Sequence, residues 1–293
     1  MKPEKLGFVG LGQMGAPMAK NIAKKGLDLS VFDKAGTRER APDNTSIVDS
    51  ISALAKCCDT IFLSVPDGEA SLSVISEIIT TNDRRVTVVI DLSTVGPAAA
   101  REGNIQCKEV GITYMDAPVS GGQAGAEAGT ISIMMAGDRD TKSEHDEILH
   151  AFAKNPFYVG NEPGQGQALK ILNNFLSGTA MIASTEAILY GLSQNLEMQT
   201  MLNVLNVSTG QNTATSDKFP NRILTETFDA GFATALITKD VNLFIENAMN
   251  AGISTNVADT VGRIWNEAND ALPDSDFTLV FKHLRDQIKA TKT

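Results

Sequence analysis

Short runs of apolar, mostly β-branched or aromatic residues alternate with helix-like stretches through the first half of the chain. The candidate strands are Leu6–Gly10, Leu29–Asp33, Thr60–Val65, Val86–Asp91, Thr113–Ala117 and Ile131–Ala136. Most of them are continuously apolar, which is typical of parallel strands covered by helices on both faces. Strand–helix alternation at this spacing predicts a doubly wound α/β sheet.

The pattern changes around Asn161–Gly166, where Pro163 and several glycines interrupt it. Beyond this point helical stretches are predicted at 167–194, about 197–208, 238–251 and 255–270. The polar stretch Ser208–Pro220 is predicted to be a loop between helices. We therefore expect two domains, an α/β domain over residues 1–163 and an all-helical domain over residues 164–293.

The helix predicted over 167–194 is apolar around most of its circumference, which indicates a buried helix. Its polar positions form one narrow strip, made of Lys170, Asn173, Asn174, Ser177 and Ser184. The strip contains a positive charge and no carboxylate. A solvated face would normally be wider and would mix lysine with glutamate, so Lys170 needs a separate explanation.

Composition excludes several classes of function. The 293 residues are 42% hydrophobic and 20% charged, as in a soluble globular protein, and the formal net charge is −10. An acidic chain without a basic stripe is not expected to bind nucleic acid. No apolar run approaches the roughly 20 residues that span a bilayer, and the N-terminal segment MKPEKLGFVGLG does not resemble a signal peptide.

The cysteine and histidine residues predict neither disulfides nor a metal site. Cys57 and Cys58 are adjacent, Cys107 is distant, and no Cys/His ligand spacing occurs. Reduced thiols of this kind are typical of a cytoplasmic protein, which we expect this to be. The three histidines lie in charged, helix-like surroundings and are expected to have surface or structural roles.

A glycine-rich turn follows the first predicted strand and opens a helix. The turn, GLGQMG, consists of Gly10, Leu11, Gly12, Gln13, Met14 and Gly15. In a dinucleotide-binding turn, the first glycine allows the tight bend, the second lets the backbone approach a pyrophosphate, and the third lets helix and strand pack closely. The amides of the following helix N-terminus favour phosphate binding. The sequence therefore predicts a dinucleotide site here.

Asp33, at the end of the second predicted strand, is placed to accept hydrogen bonds from the adenosine ribose hydroxyls. A carboxylate there would repel the 2′-phosphate of NADP, so the sequence favours NAD. Lys34 and Arg38 could each reach toward a phosphate, which leaves NADP open as the less favoured cofactor.

Later strand ends supply further turns of small and hydroxylated residues, at the sheet edge where such proteins bind ligands. SVPDG contains Val65 and Pro66, DLSTVGP contains Thr94, and DAPVSGGQAGAEAGT contains Ser120, Gly121 and Gly122. The two glycines can turn amide groups toward one point, and Ser120 adds a hydroxyl donor, so a substrate carboxylate is the natural occupant. A flexible Gly/Ala linker is the alternative.

Lys170 and Asn174 are four residues apart and share one helical face. If that face lines the cleft between the domains, the lysine could donate a proton to a carbonyl or accept one from a hydroxyl. Burial and a second cation would favour the neutral amine. Lys239 is the candidate second cation, although a surface ion pair with Asp240 or Glu246 is an open alternative.

Four motifs resemble those of the β-hydroxyacid dehydrogenases, the family of 3-hydroxyisobutyrate dehydrogenase and tartronate semialdehyde reductase. They are GLGQMGAPMAKNI at 10–22, DAPVSGGQAGAEAGT at 116–130, GQGQALKILNN at 164–174 and TKDVNL at 238–243. Together they extend the resemblance over essentially the whole chain.

The resemblance implies an N-terminal Rossmann domain, an all-α C-terminal domain and a homodimer or homotetramer. It implies Lys170 as the catalytic acid/base and Asn174 as a substrate-binding neighbour. The residues implied at the substrate carboxylate are Ser120, Gly121 and Gly122; those implied at the cofactor include Thr94 and Lys239. A small 3-hydroxy acid oxidised by NAD is the leading hypothesis, with a catalytically silent scaffold and an imine reductase as the alternatives.

Overall fold

The computed structural model describes residues 4–290; residues 1–3, part of the N-terminal segment considered above, and residues 291–293 lie outside that description. The chain divides into two compact units, Met1–Lys170 and Ile171–Thr293. The division falls inside a long helix, whereas the boundary expected from the sequence lies just before that helix.

The first unit is built on one sheet of nine strands. They are β1 (Leu6–Val9), β2 (Leu29–Phe32), β3 (Ser46–Ile47), β4 (Thr60–Leu63), β5 (Val88–Asp91), β6 (Thr113–Asp116), β7 (Val119–Ser120), β8 (Ile131–Ala136) and β9 (Ala153–Gly160). The order is β3-β2-β1-β4-β5-β6-β8-β7, with β9 also paired to β8. The first six are parallel in the order 3-2-1-4-5-6, which is the Rossmann order.

Helices connect the strands of the first unit and cover both faces of its sheet. They are α1 (Gly15–Lys24), α2 (Thr37–Arg40), α3 (Ile51–Cys57), α4 (Gly68–Thr80), α5 (Pro97–Glu109), α6 (Gly122–Ala128), α7 (Arg139–Glu144) and α8 (Asp146–Phe152). Because the strands are covered on both sides, successive strand residues such as Ile61, Phe62 and Leu63 are all fully buried. The predicted doubly wound sheet is confirmed.

The second unit is helical. Its elements are α9 (Gln165–Ser193, which begins in the first unit), α10 (Met198–Leu205), a π-helix (Ala214–Ile223), α11 (Thr234–Asn250), α12 (Asn256–Ala271), a 3₁₀ turn (Phe277–Leu279) and α13 (Val280–Ala290). Its core is centred on Trp265, whose indole N–H donates to the Gly178 carbonyl at 3.4 Å. The predicted all-α C-terminal region is therefore confirmed.

The polar stretch Ser208–Pro220 was predicted to be a loop, and this is wrong for its second half, which forms the π-helix. Asn212 lies just before this element. Its side-chain oxygen accepts hydrogen bonds from the Ala214 and Thr215 amides. Its side-chain amide donates to Ser184 in α9 at 3.0 Å. A polar segment can therefore remain helical because Asn212 caps it and ties it to a neighbouring helix.

Helix α9 is long and apolar enough, by length and composition alone, to cross a membrane. A core helix of a soluble protein passes the same test, and α9 contributes Met181, Ile182 and Ile188 to the core of the second unit. The prediction that α9 is buried nearly all round is wrong for one side, where Leu172 and Leu176 are 44% and 58% exposed. A helical wheel shows which faces of a helix are apolar. It does not show which of those faces other segments of the same chain cover.

Candidate active site

The glycine-rich turn links the end of β1 to α1. Gly10 has φ +93°, and a Cβ there would collide with the Ser64 carbonyl oxygen. A Cβ on Gly15 would collide with the Gly10 carbonyl oxygen, so α1 can approach β1 only because residue 15 is glycine. A Cβ on Gly12 would meet no protein atom within 4 Å. Packing inside the protein therefore explains Gly10 and Gly15, while Gly12 faces space that a ligand can enter.

The Asp33 side chain directly follows β2 and is buried against this turn. One carboxylate oxygen accepts the Leu11 amide at 2.6 Å, and the other accepts the Ala35 amide at 2.7 Å. The Arg40 guanidinium lies 3.7 Å from the same carboxylate. Of the cations after β2, it is therefore Arg40 that pairs with Asp33, rather than Lys34 or Arg38, the two that the sequence suggested near a cofactor phosphate.

The segments after β4 and β5 lie side by side at the same sheet edge. The Val65 amide donates to the Ser93 hydroxyl at 2.9 Å, which joins the turn containing Val65 and Pro66 to the turn containing Thr94. Because the strands are parallel, their carboxyl ends meet the glycine-rich turn and Asp33 at one edge. This arrangement brings together the residues expected at the cofactor in the first unit.

Asp91, a fully buried carboxylate, lies at this edge of the sheet. Asp91, the last residue of β5, accepts hydrogen bonds from the Ser71 hydroxyl at 2.5 Å, the Ser93 amide at 2.9 Å and the Tyr114 hydroxyl at 3.2 Å. Burial raises the pKa of Asp91 above its usual value, while these hydrogen bonds oppose the rise. Burial, together with the Asp91 charge, also raises the pKa of Tyr114.

Ser120 and the two following glycines form a bend between β7 and α6. Ser120 ends β7 and is half-buried, opposite Ser132 of the antiparallel strand β8. Gly121 and Gly122 have φ of +136° and +64°, values that favour glycine, and a Cβ on Gly122 would meet nothing within 4 Å. The bend is thus open beside Gly122, while Gly121 packs against Ile131.

Lys170 lies in the second turn of α9, and the first turn of that helix is fixed to the sheet. The Asp116 carboxylate, at the end of β6, accepts the Gly164 and Gln167 amides, each at 2.8 Å. Burial raises the pKa of Asp116 to about 6, although these two amide hydrogen bonds oppose it. The Lys170 side chain is 7% exposed. A buried lysine therefore projects from a helix start that is tied to a strand end.

In the second unit, Asp240 connects two of the predicted residues. The Asn174 side-chain amide donates to one Asp240 oxygen at 2.6 Å, and the Lys239 ammonium lies 3.5 Å from the other. The ion pair of Lys239 with Asp240, considered as the alternative, is therefore present, with Asp240 buried and the Lys239 side chain 28% exposed. Lys170 and Asn174 are one turn apart within α9.

The sequence analysis did not single out several residues of these networks, among them Gln167, Asp116 and Asp91. Gln167 lies within GQGQALKILNN, three residues before Lys170, and belongs to the same polar strip of the helix. Extending that strip by one turn would have found it. Among the described residues, no group of three or more His, Cys, Asp or Glu side chains is placed to hold a metal ion.

Comparison with family models matches both parts of the chain. The model described as the NAD-binding domain of 6-phosphogluconate dehydrogenase matches residues 5–160. The model described as NAD-binding of NADP-dependent 3-hydroxyisobutyrate dehydrogenase matches residues 164–284.

Similar individual proteins cover most of the chain. The 2-(hydroxymethyl)glutarate dehydrogenase of Eubacterium barkeri is 34% identical over 84% of this chain and 82% of its own. The NAD-dependent L-serine dehydrogenase of Pseudomonas aeruginosa is 31% identical over 86% of this chain and 88% of its own. The structure of Mycobacterium tuberculosis 3-hydroxyisobutyrate dehydrogenase with L-serine superimposes with a TM-score of 0.88 at 28% identity, over 96% of this chain and 99% of that one.

Proposed function

Because the chain belongs to the β-hydroxyacid dehydrogenase family, we propose that it oxidises a small 3-hydroxy acid with NAD and that Lys170 transfers the proton. The broader class is that of an oxidoreductase with a nicotinamide dinucleotide cofactor. The observation that carries the proposal is the 7% exposed Lys170, held one turn beyond an anchored helix start next to the strand ends.

The proposed reaction converts a primary alcohol into an aldehyde. A nicotinamide cofactor held at the glycine-rich turn would supply the hydride acceptor for the carbinol carbon. The neutral Lys170 amine accepts the hydroxyl proton as the C–H bond breaks. The alcohol is thereby oxidised to the aldehyde, and the lysine becomes an ammonium group. In the reverse direction the ammonium returns its proton to the carbonyl oxygen. Asn174 is proposed to hold the same substrate oxygen, and Lys239 is proposed to contact the cofactor.

The substrate class follows from the names of the relatives. Serine, 3-hydroxyisobutyrate and 2-(hydroxymethyl)glutarate each place a hydroxymethyl group on the carbon that bears the carboxylate. We propose the same core for this substrate, with the carboxylate bound at Ser120, Gly121 and Gly122. The positive φ values and the open space beside Gly122 support that role.

NAD is proposed over NADP because the Asp33 carboxylate directly follows β2 and lies beside the glycine-rich turn. Arg40, 3.7 Å away, offsets part of this charge, so the discrimination is expected to be moderate rather than absolute. Comparing the Kd values for NADH and NADPH tests this part of the proposal. Tighter binding of NADPH would contradict it.

Replacement of the lysine tests the mechanism. We expect Lys170→Met to lower kcat by about 10²- to 10⁴-fold, the usual contribution of a positioned acid or base, while the Kd for NADH changes little. Steady-state kinetics should be measured with 3-hydroxyisobutyrate, L-serine and 2-(hydroxymethyl)glutarate. Lys154→Met, at an exposed position of β9, is the matched control and should retain full turnover.

Two results would count against the proposal in different ways. Unchanged turnover in Lys170→Met would remove this lysine from proton transfer. Tight NADH binding by the wild type without turnover of any hydroxymethyl acid would favour the catalytically silent scaffold instead.

A further inference from the structure

We propose that Gln167 is a positioning residue that fixes the distance between Lys170 and the turn after β5 that contains Thr94. The inference rests on the proposed roles of Lys170 in proton transfer and of Thr94 at the cofactor. Gln167 does not itself touch the reacting atoms in this proposal; it acts by holding two segments together.

The side chain of Gln167 is fully buried and bonds the β5 turn at three points. Its carbonyl oxygen accepts the amides of Val95 at 3.0 Å and Gly96 at 3.2 Å. Its amide nitrogen donates to the Ser93 carbonyl at 2.9 Å. These bonds are made on both sides of Thr94, so the turn is closed onto the first turn of α9.

The backbone of the same residue is bound from the other side by Asp116, which accepts the Gln167 amide. Gly166 allows this close docking, since a Cβ there would collide with the Met134 carbonyl oxygen and lie 2.8 Å from the Asp116 carboxylate. The helix start is therefore held to β6 through its backbone and to the β5 turn through the Gln167 side chain.

The consequence for Lys170 follows from helix geometry. Lys170 lies three residues after Gln167, so any displacement of the first turn moves the lysine with it. Displacing a catalytic group by about 1 Å can lower turnover about 100-fold. By contrast, the glycine-rich turn and Asp33 lie on other segments, so most of the proposed cofactor contacts would be unaffected. Loss of Gln167 should lower kcat more than it weakens NADH binding.

Gln167→Glu tests this with almost no change in shape. A protonated carboxylic acid can donate to the Ser93 carbonyl and accept from Val95 and Gly96, as the amide does, whereas a carboxylate would repel that carbonyl. Burial and the nearby Asp116 and Asp91 carboxylates should raise the pKa of the introduced acid, while Lys170 one turn on opposes them. Tyr114 faces the same network through Asp91.

We expect kcat of Gln167→Glu to be about 100-fold below wild type above about pH 8 and to recover as the pH falls toward 6, with the Kd for NADH within about threefold of wild type. Because Asp116 titrates in the same range, the variant is compared with wild type at each pH. Gln165→Glu, an exposed glutamine in the same helical turn, is the control and should follow the wild-type profile.

A second variant gives a readout that does not depend on turnover. Gln167→Met keeps the volume but removes all three bonds, so the Val95 and Gly96 amides should exchange with deuterium faster than in wild type. If no hydroxy acid is turned over, the proposed function fails. The exchange experiment still tests whether Gln167 holds the turn after β5 to the first turn of α9. The proposal would be overturned if the kcat of Gln167→Glu equalled that of wild type, or lay below it by the same factor at every pH. Unchanged deuterium exchange of the Val95 and Gly96 amides in Gln167→Met would also overturn it.

Discussion

Gly10 and Gly12 lie two residues apart in the same turn but are glycine for different reasons. The fold itself requires Gly10, because its φ is +93° and a side chain would strike the Ser64 carbonyl. The fold does not require Gly12, since added atoms would meet nothing within 4 Å and its φ lies outside the positive region. The contrast separates a residue needed for folding from one available for binding.

Gly12→Ala is therefore expected to fold normally and to bind the cofactor poorly. Its thermal unfolding temperature should equal or slightly exceed that of wild type, because alanine at a compatible position reduces the entropy of the unfolded chain. The Kd for NADH should rise about tenfold or more, as the new methyl group occupies the space expected for the pyrophosphate. Fluorescence titration and thermal unfolding measure the two effects.

Gly10→Ala should show the opposite pattern, with a marked loss of stability. If Gly12→Ala bound NADH as tightly as wild type, the glycine-rich turn could not be the site of the pyrophosphate.

At the scale of elements, His145 joins the α7–α8 corner to β4 and to the N-terminal segment. Its Nδ1 lies 2.7 Å from the Thr141 carbonyl, and its Nε2 lies 3.1 Å from Glu4 and 2.9 Å from Thr60. Burial lowers the pKa of His145, but the hydrogen bonds to Glu4 and Thr141 outweigh it and raise the pKa overall. The hydrogen bond from His145 is the main cause of the lowered pKa of Glu4.

These shifts predict how stability depends on pH. A raised pKa for His145 means that its stabilising contribution is complete below the ordinary value of 6.5 and is lost as the pH rises through the raised value. The Glu4 contribution is complete above 4.5 and is lost as the pH falls through the lowered value. The pair should therefore stabilise the protein most between these two ordinary values.

His145→Gln is expected to reduce the free energy of unfolding by about 1 kcal/mol near pH 6, a modest value because Glu4 is one-third exposed. The difference from wild type should shrink as the pH is raised to about 9. Urea unfolding at several pH values measures it, with His150→Gln, an exposed histidine, as the control. A difference that grows with pH would contradict the assignment of a charged His145.

Six strands, β1, β2, β4, β5, β6 and β8, could be predicted from sequence because most of them are continuous apolar runs. Their bounds differ from the predicted ones by two residues or fewer at each end. The strands missed lack that signal. β3 and β7 have two residues each, and β9 contains Pro156, Lys154 and Asn155 at the edge of the sheet. Edge strands tolerate proline and polar residues, so their pairing depends on the neighbouring strand rather than on their own pattern.

At the scale of the whole molecule, the first-unit residues of the candidate site could be predicted because parallel topology brings strand ends to one edge. The supporting networks could not. The Gln167 bonds to the β5 turn and the Asn174–Asp240 bond join positions more than 60 residues apart in sequence, |i−j| being 71 to 74 and 66. Hydropathy and spacing contain no information about such register, which arises only when the elements pack.

The exposed side of α9 bears on assembly. Its exposed residues between 168 and 183 are Ala168, Leu169, Leu172, Leu176 and Ala183, all apolar and uncharged. The chain has a net charge of −10, so two copies carry like charge and repel each other overall. An uncharged apolar stripe is the surface on which a second identical chain can pack with little repulsion, in a self-complementary contact.

The homodimer or homotetramer expected from the sequence stays a prediction, and this stripe makes it testable. Light scattering should give the wild type a mass of two or four chains, while Leu172→Lys combined with Leu176→Lys should shift it to a smaller species, because lysines facing each other across a two-fold contact cannot both be buried. Val207→Lys, at a position 87% exposed, introduces the same charge elsewhere and should leave the mass unchanged. A monomeric wild type would contradict oligomerisation itself, whereas an oligomer unaffected by the two lysines would place the contact on another surface.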